Sequence, residues 1–202
     1  HIHAKLLERA TSLKKGGSIT ALPIIETQEG NISAFIPTNL ISITDGQIYF
    51  SSTIFQKGRF PAIDIGKSVS RVGGKTQSKI YRSIAKDLKL SFAQFEELEF
   101  FSRFGTYLKK ETQETLTRGK RIREILKQDL YELYSVPEQI CLLHALMEGY
   151  FDSIDLDKIK NIRKKIKKKV FEEFEGKTVN EDQLPILEKI AKEVLENYAG
   201  SE

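Results

Sequence analysis

The sequence predicts an α/β segment followed by an all-α region, and three observations carry that expectation. Up to about residue 75, short β-branched apolar runs alternate with glycine, proline and Asp-Gly turn signals. After Gly74 the apolar period lengthens from 2 to 3.6, with Ile80, Ile84 and Leu88 at four-residue spacing. Beyond that, helical spacing recurs between recognisable caps, with no internal repeat and no low-complexity linker. Residues 1–77 and 78–202 are therefore read as separate domains.

In chain order, Lys5 to Ala10 reads as the tail of a helix. Lys14-Lys15-Gly16-Gly17 ends it, with cations at the negative helix end and glycines at the stop. Ser18 to Thr27 is nearly continuously apolar and β-branched, the pattern of a strand covered on both faces. Between Ile32 and Ile43, Pro37-Thr38-Asn39 breaks two short apolar pieces. Thr44-Asp45-Gly46-Gln47 is a turn, because Asp-Gly tolerates positive φ. Ile48-Tyr49-Phe50 follows as a short strand, and Ser52 to Lys57 as one helical turn closed by Gly58. Ala62-Ile63-Asp64-Ile65 then suits a strand that runs into Gly66-Lys67-Ser68 and on to Arg71, just before Gly73-Gly74.

In the second half, Ser91-Phe92-Ala93-Gln94 has capping-box form and predicts a helix start. Its stripe would be Phe92, Phe95, Leu98 and Phe101, a core face, with Gly105 as its end. A helix from Lys110 to Gln128 uses Leu116, Ile122, Ile125 and Leu126, with Gly119 weakening its middle. Ser135-Val136-Pro137-Glu138 is another capping box, with proline in the first turn. It opens a largely apolar, central helix from Glu138 to Tyr150. Leu156, Ile159, Ile162, Ile166 and Val170 define the next helix. Asn180-Glu181-Asp182-Gln183 opens the last, carried by Leu187, Ile190, Val194 and Leu195.

Composition excludes several classes. The 202 residues suffice for one large or two small domains, and 40% hydrophobic residues suffice for a core. A net charge of +4 is too weak to argue for nucleic acid by itself. One cysteine, Cys141, precludes a disulfide framework within the chain. No apolar run approaches the roughly 20 residues of a membrane helix. The chain begins at His1 and its one methionine is Met147, so it reads as a fragment or a trimmed product.

Candidate chemistry is sparse. Gly66-Lys67-Ser68 imitates a phosphate loop, but that loop needs a glycine where Pro61 stands, and proline has no N–H to offer a phosphate. His1, His3 and His144 have no partners at metal-ligand spacing. There is no Gly-x-Ser-x-Gly elbow, and Cys141 lies in an apolar run. Lys158 to Lys169 holds eight basic residues in twelve, either a solvated helix face or a surface for nucleic acid or an acidic protein partner, though no aromatic stacking residues interleave the lysines. For Arg71, at a strand-to-helix junction, two readings stand: a structural arginine bonding nearby carbonyls, or a planar fork held toward an anionic phosphate.

Four ordered blocks are more specific than any single motif. They are His3 to Ala10, Gly17 to Gln28, Ile36-Pro37-Thr38-Asn39-Leu40-Ile41-Ser42-Ile43-Thr44-Asp45-Gly46-Gln47-Ile48, and Ser68-Val69-Ser70-Arg71-Val72-Gly73-Gly74. Together they closely resemble the alpha subunit of F-type ATP synthases. The likeness continues through Ala93-Gln94-Phe95, Phe104-Gly105, Arg118-Gly119 and Leu126-Lys127-Gln128, and fades after Tyr150. It implies the C-terminal portion of a RecA-like nucleotide-binding domain over residues 1–77, then a helical bundle. The family's phosphate loop, metal-binding aspartate motif and N-terminal barrel would all precede His3.

The resemblance further implies a non-catalytic subunit that alternates with beta subunits in a hexameric ring around a gamma rotor. Such a ring is peripheral to an energy-coupling membrane, on the cytoplasmic side in a prokaryote, without inserting in it and without nucleic acid. ATP or ADP with Mg2+ would sit at subunit interfaces, and proton or sodium transport would be coupled to synthesis or hydrolysis. Arg71 matches the arginine finger lent to the neighbouring catalytic site. Ser42, Gly46 and Val69 match positions lining that site, and Glu26 and Gln128 match positions near alpha's own nucleotide. Phe60 and Leu130 stand where the family commonly has an arginine and a glutamine, which removes polar contacts there. Gly58 to Asp64 and Phe95 to Glu99 look more like the divergent "alternate" branch, some of it associated with Na+ transport. A chain with no phosphate loop of its own is expected to be catalytically inactive alone; the other reading is a helical protein- or nucleic-acid-interaction module, using the 90–202 bundle, without enzymatic role.

Overall fold

Local caps and turns shape the first part of the chain. The computed structural model describes residues 1–102, 110–175, 177 and 179–199. The chain divides into two units, His1–Thr76 and Gln77–Glu202.

The first unit contains short helices α1 (Ile2–Leu7), α2 (Phe35–Ile43), α3 (Ser52–Gln56) and α4 (Gly73–Thr76). A minimal antiparallel pair joins β1 (Gly46–Gln47) to β2 (Val69–Ser70), with Gly46 opposite Ser70 and Gln47 opposite Val69. Pro37 does not break the apolar run as expected. It lies in the first turn of α2, where its missing N–H costs nothing, and it is buried beside Leu40. The single turn at α3 forms as read: the Ser51 hydroxyl accepts from Ile54 N at 3.4 Å, and Gly58 follows at φ 65°.

The expected strand over 18–27 is absent. Ser18 makes one isolated bridge to Ser12, and Leu22 and Ile24 are exposed. Pairing reaches only its first residues, where Ile19 N donates to Thr11 O at 3.1 Å; a strand exists only through its neighbours, and beyond Ile19 this segment has no hydrogen-bonded partner among the described residues. Ile48 to Phe50 and Ala62 to Ile65 likewise fall short of named strands, but they meet. Phe50 bridges Ile63, and Asp64 N donates to Tyr49 O at 2.9 Å.

The second unit is helical: α5 (Lys79–Ser102), α6 (Lys110–Ile125), α7 (Val136–Met147), α8 (Leu156–Phe174) and α9 (Leu184–Ala199). The capping-box sequence at Ser91 starts no helix. Ile80, Ile84, Phe92 and Phe95 are buried in one continuous 24-residue helix, because the stripe stays in register across Ser91. Phe101, at the far end of that stripe, is exposed rather than core. The expected stop at Gly105 lies outside the described residues. The boxes at Ser135 and Asn180 do form, with Ser135 N donating to Glu138 Oε2 at 2.7 Å and Asn180 N to Gln183 Oε1 at 3.0 Å.

Helix α7 packs on α5, α8 and α9, and α6 packs on α5 and α8. Ile140, Ala145, Leu146, Ile159, Ile162, Ile166 and Leu187 are fully buried where these faces meet. Each large side chain so buried contributes about 1.5–3 kcal/mol. The Cys141 thiol sits in this core, donating to Leu187 O at 3.3 Å, and burial pushes it up to about 12.

Gly119 does more than weaken its helix. A Cβ there would lie 2.0 Å from the ring of fully buried Phe95, so α5 and α6 approach as closely as they do only because residue 119 is glycine. Arg123 stacks over the same ring at 4.4 Å and grips Glu99 through two nitrogens at 2.8 and 2.7 Å. On an exposed helix Gly→Ala would stabilise by up to about 1 kcal/mol. Here Gly119→Ala is expected to destabilise by about 1–3 kcal/mol through overpacking, measured by urea unfolding. Cys141 should react with an alkylating reagent only at the rate of unfolding; rapid labelling of the folded chain would contradict its burial.

Candidate functional site

Four of the candidate residues come together in the first unit. Helix α2 ends at Ile43, and Thr44 turns its backbone into the extended region, φ −84° and ψ 164°. Carbonyls at such an end have no amide of a further turn to receive. The Arg71 guanidinium supplies donors: one terminal nitrogen donates to Ile41 O at 2.6 Å and also to Thr44 O. The backbone assists, since Arg71 N donates to Asp45 O at 2.8 Å, continuing the β1–β2 pairing by one residue.

Ser42 lies between the two carbonyls that hold Arg71, its hydroxyl donating to Asn39 O at 2.6 Å. Gly46 faces β2 so closely that a Cβ would fall 2.2 Å from Val69 O. Val69 itself is part-exposed on β2, two residues before Arg71. The structural reading of Arg71, bonding nearby carbonyls, therefore describes its resting contacts. It does not exhaust the fork: Nε and the other terminal nitrogen have no hydrogen bond among the described residues, and the side chain is exposed.

Gly66-Lys67-Ser68 is a turn anchored by Asp64. Asp64 Oδ1 accepts Lys67 N at 3.0 Å, and the Ser68 hydroxyl donates to Asp64 O at 2.6 Å. The Lys67 amine lies over the Tyr49 ring at 4.8 Å. These contacts occupy the groups a phosphate loop would need free.

Glu26 is not brought to the others; it is exposed, outside any helix or strand, with no partner among the described residues. Gln128 belongs to the second unit, where its amide donates to Glu132 O. Phe60 packs edge-on against Phe55 at 5.4 Å, and Leu130 is 83% exposed.

The connection that carries Gln128 is held by a residue the sequence reading missed. Arg163 is 3% exposed although it sits in the lysine-rich run, which is thus not simply a solvated face. Its guanidinium donates to Ile125 O at 3.1 Å and to Lys127 O at the end of α6, and meets Glu132 Oε2 at 2.9 Å. The Tyr134 hydroxyl donates to the other Glu132 oxygen at 2.7 Å. The signal was available: residue 163 follows Ile159 by four and precedes Ile166 by three, so it lies on the buried seam. Around it Lys160 pairs with Asp129 at 2.8 Å and Lys169 with Glu193 at 2.7 Å, while Lys167 donates to Leu133 O. Among the described residues no helix is long and apolar enough to cross a membrane.

Comparison with known proteins accounts for both units. Residues 77–197 match the ATP synthase alpha/beta chain, C terminal domain, so the helical unit is a domain of that class. Residues 1–70 match the ATP synthase alpha/beta family, nucleotide-binding domain. The chain belongs to the ATP synthase alpha/beta family. It is 51% identical over 204 residues to ATP synthase subunit alpha 2 of Syntrophotalea carbinolica, covering 96% of this chain and 39% of that protein. It is 60% identical over 173 residues to ATP synthase subunit alpha 2 of Syntrophus aciditrophicus, covering 84% and 33%. With ATP synthase subunit alpha 1 of a Marinomonas species it shares 49% identity over 211 residues, covering 98% and 41%. The chain thus spans between a third and about two fifths of the length of these relatives.

The Glu132–Arg163 pair yields a prediction with a definite sign. Burial alone would raise the Glu132 carboxyl, but the Tyr134 hydroxyl, the Asp129 amide and Arg163 together hold it below the usual carboxylate range. A depressed carboxylate stabilises the fold above its unfolded value, about 4.3, and that contribution is lost as pH falls through the lower folded value. Thermal unfolding followed as a function of pH should show this loss, and Glu132→Gln should remove that share of the acid dependence. Arg163→Met leaves the part-buried Glu132 carboxylate without its cation and should cost up to about 3–5 kcal/mol at neutral pH.

Proposed function

We propose that this chain is the C-terminal part of a non-catalytic alpha subunit of an F-type ATP synthase, lending Arg71 to the catalytic site of an adjacent beta subunit. Residues 1–77 are then the C-terminal portion of its RecA-like nucleotide-binding domain, and 78–202 its helical domain. The observation that carries this reading is the junction of Arg71 with family membership. A guanidinium seated at the end of α2, with three donor protons unspent, belongs to a chain whose matched relatives are named alpha subunits. Charge accumulating on a transferred γ-phosphoryl group is met by such a fixed fork, and such fingers contribute about 10³–10⁵ in rate.

The substrate of that shared site is ATP, or ADP with phosphate, carried with Mg2+. Ser42, Gly46 and Val69 line the side of the site that this chain provides. Glu26 and Gln128 are the positions assigned, each in its own unit, to the subunit's own nucleotide; Phe60 and Leu130 are exposed apolar side chains. The partners are beta subunits alternating in a hexamer and a gamma rotor, the assembly being peripheral to an energy-coupling membrane and, in a prokaryote, on its cytoplasmic side. Proton or sodium transport is coupled to the reaction. Gly66-Lys67-Ser68, locked in its Asp64 turn, binds no phosphate, and the chain alone is catalytically silent. In the assembled complex, Arg71→Ala should lower ATP hydrolysis about 10³-fold or more. Hydrolysis at the wild-type rate would refute the role given to Arg71.

A further inference from the structure

We propose that the C-terminal end of α2 is the seat that aims Arg71, and that Thr44 is the positioning residue of that seat. The inference rests on reading Arg71 as the arginine lent to the neighbouring site, and it assigns a role to groups that touch no substrate.

The geometry divides the guanidinium in two. Both protons of one terminal nitrogen are spent on Ile41 O and Thr44 O, and Arg71 N is tied to Asp45 O. The Nε proton and the two on the other terminal nitrogen remain for an anion. The fork is thus anchored on one side and presented on the other, so its placement is inherited from the two carbonyls. Lysine could not do this, because its single ammonium cannot hold two carbonyls and still offer a planar fork.

Thr44 fixes where those carbonyls lie. Its amide donates to Leu40 O at 3.0 Å, closing the last turn of α2. Its hydroxyl stands 2.9 Å from Leu40 O and 3.0 Å from Gly46 O, so its one proton ties either the helix end or the start of β1. Its own carbonyl then receives Arg71. One residue braces the helix end, spans to the strand that pairs with β2, and holds the guanidinium. Removing the hydroxyl leaves every other group in place but frees the helix end to shift. A misplacement of about 1 Å in a positioned catalytic group costs on the order of 10²-fold in rate.

The test is a double-mutant cycle in the complete, assembled complex, reading steady-state hydrolysis of MgATP. Thr44→Val should lower kcat by about 10- to 100-fold with KM little changed, and Thr44→Ser, which keeps the hydroxyl, should restore most of it. In an Arg71→Ala background, Thr44→Val should cost nothing further, because the group it aims is gone. Wild-type kcat in Thr44→Val, no rescue by serine, or an equal loss with and without Arg71 would each overturn the proposal. Full activity of Arg71→Ala alone is a different result: it removes the reading on which the proposal stands. If valine prevents assembly, Thr44→Ala, which deletes the same hydroxyl with less bulk, runs the same cycle with the same outcomes.

Discussion

The last carbonyls of an α-helix have no amide within the helix to receive, and in this chain arginines repeatedly meet that demand. Arg71 caps the end of α2 through Ile41 and Thr44. Arg163 does the same at the end of α6, taking Ile125 O and Lys127 O. Arg118 reaches Met147 O at 3.0 Å at the end of α7, and Arg121 takes Phe151 O and Ile154 O at 2.6 and 2.9 Å in the connection that follows. A guanidinium suits the task because its donors are several, coplanar and charged, and the helix end carries partial negative charge.

In the helical unit this device combines with close packing. Gly119 lets α6 approach Phe95, and Arg123 covers that ring while pairing with Glu99. Arg163 pins the connection between α6 and α7 onto α8, one terminal nitrogen on backbone carbonyls and the other on Glu132. The charges of α8 are thereby sorted by register. Residue 163 falls on the seam and is buried with a partner, while lysines off the seam make exposed pairs that contribute little to stability.

In the first unit the same constraint meets the proposed function. An arginine held only by solvent would pay for its ordering each time an anion arrived, at a cost in conformational entropy. Arg71 is ordered in advance by a helix end and a two-residue strand pair, and half of its fork remains unspent. The structural and the functional readings of this residue therefore do not compete, because the carbonyl contacts are what would make the remaining donors a fixed feature.

What sequence alone determined was local. The helical seams of α8 and α9, the single turn before Gly58, the caps at Ser135 and Asn180, and the failure of Gly66-Lys67-Ser68 as a phosphate loop follow from residues within a few positions of one another. The ordered blocks around Ser42, Gly46 and Arg71 also identified the family, because sequence carries descent as well as physics. Where several local rules applied, the sequence did not choose: Pro37 fits a break or a first turn, and Ser91 fits a cap or a mid-helix serine. Tertiary structure decided both, along with the lack of strand pairing beyond Ile19, the burial of Arg163 and the seat of Arg71. The reason is common to all of them. A strand needs an edge, a buried charge needs a counter-charge and an orphaned carbonyl needs a donor, and each such partner must come from a distant part of the chain, as Arg71 reaches Ile41 from 30 residues away.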